Sequence, residues 1–177
     1  MLTQAILAMI YSEMERETDV RCTFEPLMMN DLRDLHHDFG WFGTVALSAQ
    51  VCSYLRDRRR AVTLYQLLEP YRDRFVDIGP GWLGSGAHYL ALTAATLGRI
   101  DEANAHFSHA ADAYAGMDAH VWLARTHLEW GRALLCSGET PHAGQGRNLL
   151  RRAHAAARHL GLAGTEQRAA ILLNAEQ

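Results

Sequence analysis

Apolar residues recur along the chain at helical spacing, with polar residues filling the positions between them. In Ala103-Asn104-Ala105-His106-Phe107-Ser108-His109-Ala110, a small residue, an aromatic and a second small residue fall at i, i+4 and i+7. Those positions line one stripe of an α-helix. Small residues flanking one ring let such a helix lie close against a neighbour. The same spacing, small-x3-aromatic-x2-apolar, returns as Val20/Phe24/Leu27, as Ala61/Tyr65/Leu68 and, more weakly, as Gly146/Leu150/Ala153. The first members are 41, 42 and 43 residues apart (20 to 61, 61 to 103, 103 to 146). Recurrence at a fixed period is the signature of a repeat architecture.

Each triad follows an apolar helical segment and a turn, so the pattern predicts four helical hairpins. The first pairs helices over 2–14 and 18–28, followed by a polar link from Asp31 to Gly40. The second pairs 41–55 with a helix running to about Arg72, across a turn made by Arg56 to Arg60. The stretch 75–84, centred on Gly79-Pro80-Gly81, is the least helical. Ser85 is placed to cap the next helix, 86–97, which ends at Gly98, a residue suited to positive φ. Asp101 can cap the helix over 101–116. Helices over 119–136 and 145–160 form the fourth pair around a lengthened turn, Gly138 to Gly144. A short closing helix follows Gly161. Strand-like alternation competes nowhere. The expected organisation is one all-α domain over 1–177, with units 2–40, 41–84, 85–118 and 119–160 and a cap at 163–175.

Composition narrows the function classes more than it alters the fold. A 49 % hydrophobic content gives ample core, and net charge of −3 supplies no global pull toward nucleic acid or acidic lipid. All 17 basic residues are Arg, so no P-loop lysine exists and GxxxxGK[ST] is absent. Cys22, Cys52 and Cys136 form no CxxC pair, which argues against a disulfide framework or cysteine zinc site and for a reduced, cytoplasmic protein. The apolar run Ala5 to Tyr11 is too short to span a membrane and lacks the flanks of a signal peptide.

Five segments in order carry a resemblance: Trp41 to Leu47, Leu64 to Tyr71, Tyr89 to Leu92, Leu97 to Phe107 and Trp122 to Thr126. Together they resemble the tetratricopeptide-repeat region at the C-terminal end of large bacterial signalling ATPases, among them adenylate-cyclase-linked ATPases and large LuxR-type transcriptional regulators. The likeness extends over about 2–173. It implies a tetratricopeptide-like superhelix of four hairpins plus a capping helix, and a sensing or scaffolding module whose ATPase or cyclase machinery lies elsewhere. The 17 residues after Leu160 are too few for a helix-turn-helix DNA-binding domain.

The candidate chemistry is sparse. The run Gly79 to Gly86 could cradle phosphate, but Pro80 removes a donor and no basic residue follows, so it reads as a link. His106, His109 and Asp112 share part of one helix face and could hold Zn²⁺ or Ni²⁺. His36-His37 is a weaker pair of the same kind. Arg147, Arg151, His154 and Arg158 make a basic stripe that reads first as a solvated face. Cys52 sits in an apolar helix and reads as core. In a hairpin superhelix the first helix of each pair lines a concave groove, where partners usually bind. Registering the units on their turns puts Gln50, His88, Arg125, Glu129 and Arg132 near it, with Trp41 and Trp82 at its rim and an Arg125–Glu129 pair within it.

The expected function is a non-catalytic protein-interaction or scaffold module with no cofactor, taking a protein or peptide in the groove. A small-ligand or peptide sensor using the same groove is the alternative. A metal-dependent enzyme built on His106 and His109 ranks below both, and nucleic acid and membrane are disfavoured as partners. The first helix adds one more expectation. Leu2, Ile6, Met9 and Ile10, with their apolar neighbours, cover most of its circumference, so the N-terminal edge should pair two copies weakly.

Overall fold

The computed structural model describes residues 1–29, 32, 40–79, 81–138 and 140–175. Nine α-helices occur among them: α1 Leu2–Glu13, α2 Glu17–Leu27, α3 Trp41–Leu55, α4 Arg58–Leu68, α5 Gly86–Leu97, α6 Ile100–Gly116, α7 His120–Cys136, α8 Thr140–Leu160 and α9 Ala163–Asn174. They form two compact units, Met1–Leu97 and Gly98–Gln177. The division falls inside the third expected hairpin, giving α5 to the first unit and α6 to the second.

In the first unit, α1 packs on α3 and α3 on α5, so the leading helices stand in a row. Helix α2 pairs with α1, and α4 bridges α3 and α5. The row is built from small and medium side chains on nearly every face of α3, where Val45, Ala46, Ala49, Val51 and Cys52 are fully buried. A helix apolar all round has to be central. The triads point inward as their spacing predicts: Val20, Phe24 and Leu27 are buried, as are Ala61 and Leu68. Tyr65 is only half-buried, and Leu64 one position earlier fills the core instead.

Several boundaries differ from the sequence reading. The turn between α3 and α4 is two residues, Arg56 and Asp57, with Arg56 left-handed at φ 54°. Asp57 accepts the Arg60 N–H and so starts α4 at Arg58, three residues earlier than the basic run suggests. After a 3-10 turn at Glu69–Tyr71, the chain forms a two-stranded antiparallel ribbon, β1 Phe75–Asp77 and β2 Trp82–Ser85. The expectation of no strand is corrected here. Strands this short show no measurable periodicity, yet the ribbon has its own logic. Asp77 Oδ1 accepts the Gly79 N–H at 2.7 Å and Gly79 takes φ 86°, while Phe75 and Trp82 pair across the strands with centroids 5.2 Å apart. Tyr89 Oη donates to the Leu83 carbonyl at 2.6 Å and straps the ribbon to α5. Ser85 Oγ accepts the Ala87 N–H, the expected cap.

In the second unit, α6, α7, α8 and α9 pack in succession, with α7 against the other three. Ala103, Phe107 and Ala110 are buried, and so are Gly146, Leu150 and Ala153. Leu128, Leu150, Ala153 and Ala169 form a core cluster joining α7, α8 and α9. Helix α6 begins at Ile100, so Asp101 lies in its first turn, favourable to the helix dipole, and does not act as the cap. Helix α8 begins at Thr140, so the stretch up to Gly144 expected as turn is mostly helical. Gly138 and Gly161, at φ 70° and 71°, end α7 and α8.

Candidate functional site

Two surfaces gather the residues singled out by sequence, one in each unit. The first is α1. Its buried side is small, Ala5, Ala8 and Ser12, which lets it lie close to α2 and α3. Leu2, Ile6 and Met9 are half-buried along one flank. Leu7, Ile10 and Met14 follow one another at i, i+3 and i+7 on the outer side, 40 %, 43 % and 58 % exposed. Of the expected edge residues, Ile10 is therefore the one that faces outward. Leu7 and Met14, which the sequence counts among the apolar neighbours on this helix, complete the stripe, and helical spacing from Ile10 picks them out once the buried side is known to be Ala5, Ala8 and Ser12.

The second surface is a polar track on α7. Ala124, Leu128 and Leu134 are buried, as are Thr126, His127 and Trp130, so most of the helix circumference is enclosed. Trp122, Arg125, Glu129 and Arg132 follow one another at helical spacing and are half-buried, while His120, Val121 and Cys136 at the helix ends are exposed. Arg125 stacks its guanidinium over the Trp122 ring, 5.4 Å from the centroid. Arg132 Nε donates to Glu129 Oε2 at 2.8 Å, and Arg168 of α9 approaches the other oxygen at 4.0 Å. The contact i, i+3 with Arg132 holds Glu129 in a tight charged pair. Arg168, which sequence reading did not select, reaches the track from a separate helix, and nothing in linear spacing announces it.

The remaining candidates have structural duties. Gln50 Nε2 donates to Glu13 Oε1 at 2.8 Å and ties α3 to α1. His88 is buried and meets Tyr89 edge-on. Trp41 is buried against Phe42 and Tyr71, which removes it from any rim, whereas Trp82 is half-buried on the ribbon. Cys52 is core as expected. Burial, with a smaller push from Asp57, raises its thiol to about 12. His127, unremarked in the sequence, is 4 % exposed, and burial followed by the nearby Arg152 charge lowers its pKa to about 4.

His106 and His109 are half-buried and exposed on α6, and Asp112 is exposed beside them. Among the described residues no group of three or more His, Cys, Asp or Glu side chains could hold a metal ion. His36 and His37, and Pro80 of the glycine-rich run, lie outside the described residues. Among the described residues no helix is long and apolar enough to cross a membrane. Comparison with known proteins returns no matching family model, no matching curated protein and no matching solved structure.

Proposed function

We propose that the chain is a non-catalytic protein-interaction module of helical-repeat type. The observation that carries this reading is the line of Leu7, Ile10 and Met14 along the outer side of α1. Large apolar side chains aligned on such a helix favour burial against another polypeptide. A second copy of the chain is the simplest occupant, since one face can pair with itself about a two-fold axis. The tetratricopeptide-like resemblance supports the same class of function, with the α7 track of Arg125, Glu129 and Arg132 as the place where a peptide's charged groups would be read. In that reading no nucleotide is bound or hydrolysed.

Light scattering over a dilution series tests the pairing. Dimer is expected to form at high micromolar concentration, and Ile10→Glu is expected to raise the dissociation constant at least tenfold, worth about 1.4 kcal/mol. A monomer throughout, unchanged by Ile10→Glu, would sink the two-copy reading. Calorimetric titration with magnesium ATP, sugars and peptides tests the rest, and saturable micromolar ATP binding would overturn it.

A further inference from the structure

Helix α8 carries more arginines than any other described helix. Over the 21 residues Thr140–Leu160 it carries four Arg and three His and no Asp or Glu. Its buried side is Gly146, Leu149, Leu150, Ala153 and Ala157. On the opposite arc, Arg147, Arg151, Arg152 and Arg158 are all exposed. Arg147, Arg151 and Arg158 follow at i, i+4 and i+11, spanning about 16 Å of helix at ~1.5 Å per residue. At the margin of this arc, His154 lies 4.0 Å from Glu166 of α9.

We infer that the outer face of α8 binds duplex nucleic acid through its phosphate backbone. The sign of the face selects an anionic partner. Its chemistry then separates the anionic partners. A protein partner would be expected to bury aromatic or large aliphatic anchors, and no large hydrophobic side chain of α8 is exposed among the described residues. A lipid surface asks for the same apolar strip. Single strands are gripped chiefly by stacking on large aromatic rings, and α8 contains no Phe, Tyr or Trp. What α8 offers is a row of guanidinium forks, which pair bidentately with phosphate oxygens. A duplex presents one charge per ~1.7 Å of axis, so a 16 Å row meets several phosphates. The chain's net charge of −3 adds no wider pull, so binding is weak and salt-sensitive.

Fluorescence anisotropy of the full chain with a labelled 20-base-pair DNA duplex tests the inference. Saturable binding is expected at low salt, with log K falling against log salt at a slope of about −3, as for three phosphates. The paired variant Arg151→Glu with Arg158→Glu is expected to weaken binding at least tenfold and to flatten the slope by about two. Both residues are exposed, so thermal melts should confirm an intact fold. Arg72→Glu with Arg74→Glu in the first unit makes the same charge change at exposed positions and is expected to alter binding less than twofold. Failure to saturate at low salt would overturn the inference, as would equal losses in the two paired variants. Tighter binding to poly-glutamate than to duplex would also overturn it and assign the face to an acidic protein.

Discussion

The two units hold neighbouring helices together by different means. In the first, side chains reach across: Arg60, only 7 % exposed, is bonded to Glu25 of α2 and to Asp57, and lies over the Phe24 ring. One guanidinium thereby joins α2 to the start of α4. In the second, the backbones themselves approach. A Cβ added at Gly131 of α7 would meet the Gly146 carbonyl at 2.9 Å and Leu150 Cγ at 2.8 Å. One added at Gly146 of α8 would meet the Gly131 carbonyl at 3.1 Å. The link from α2 to α4 is therefore a charge network that solvent conditions can reach. The α7–α8 contact depends on the absence of two side chains.

The sharpest way to break that contrast is Gly131→Val. Atoms forced against the α8 backbone cannot rotate away, and a loss of about 3 kcal/mol is expected in urea unfolding. Gly43→Ala in the first unit is the control. Its added Cβ would lie 2.5 Å from Ile78 Cγ2, a side-chain atom that can move, so a smaller loss is expected. Equal losses would remove the distinction. Next comes Arg60→Ala, expected to cost about 2 kcal/mol, because it strips two carboxylates and a ring of one partner. Exchange protection should fall in α2 and α4 and stay unchanged in α7 and α8. Loss of protection in both units would show that the network is not local.

An effect of about the same size is in pH. His127 is neutral when folded, and its folded pKa of about 4 lies below the ordinary 6.5. The unfolded chain thus binds the proton more readily, and stability falls as pH drops from about 6.5 toward 4. Between pH 7 and 5 the loss is about 2 kcal/mol at ~1.36 kcal/mol per unit of differential titration. Glu25 acts in the same direction at lower pH. Its hydrogen bond from Arg60 lowers its pKa, so the stability it lends is lost as pH falls through that value. Urea midpoints of the native chain and His127→Gln between pH 7 and 5 check the first effect. The variant should lose the steeper part of the slope.

Helix positions were legible because burial at i, i+4 and i+7 leaves a mark on the sequence, and α3 and α5 begin and end where the pattern predicts. The ribbon at Phe75–Ser85 was not, because three or four residues are too few to establish a period. The start of α8 was missed for another reason. Pro141 is welcome in a helix's first turn, yet in the sequence it reads together with Gly138 and Gly144 as a turn. The surfaces were half legible. Spacing marked α1 as apolar all round, but which residues face outward depends on α2 and α3 covering the rest. Arg168 reaches Glu129 only through the packing of α9, so no local pattern could place it.

Cys52 gives the first unit a built-in clock. Its Sγ donates to the Asp57 carbonyl at 3.0 Å across the α3–α4 turn, whereas Cys22 and Cys136 are exposed. With a thiol near 12, about one molecule in ten thousand carries the reactive thiolate at pH 8, even before access is considered. An alkylating reagent therefore consumes the two outer thiols at once and then waits. The slow third event reads out how often α3 and α4 part, one molecule at a time, in a protein that needs no engineered label.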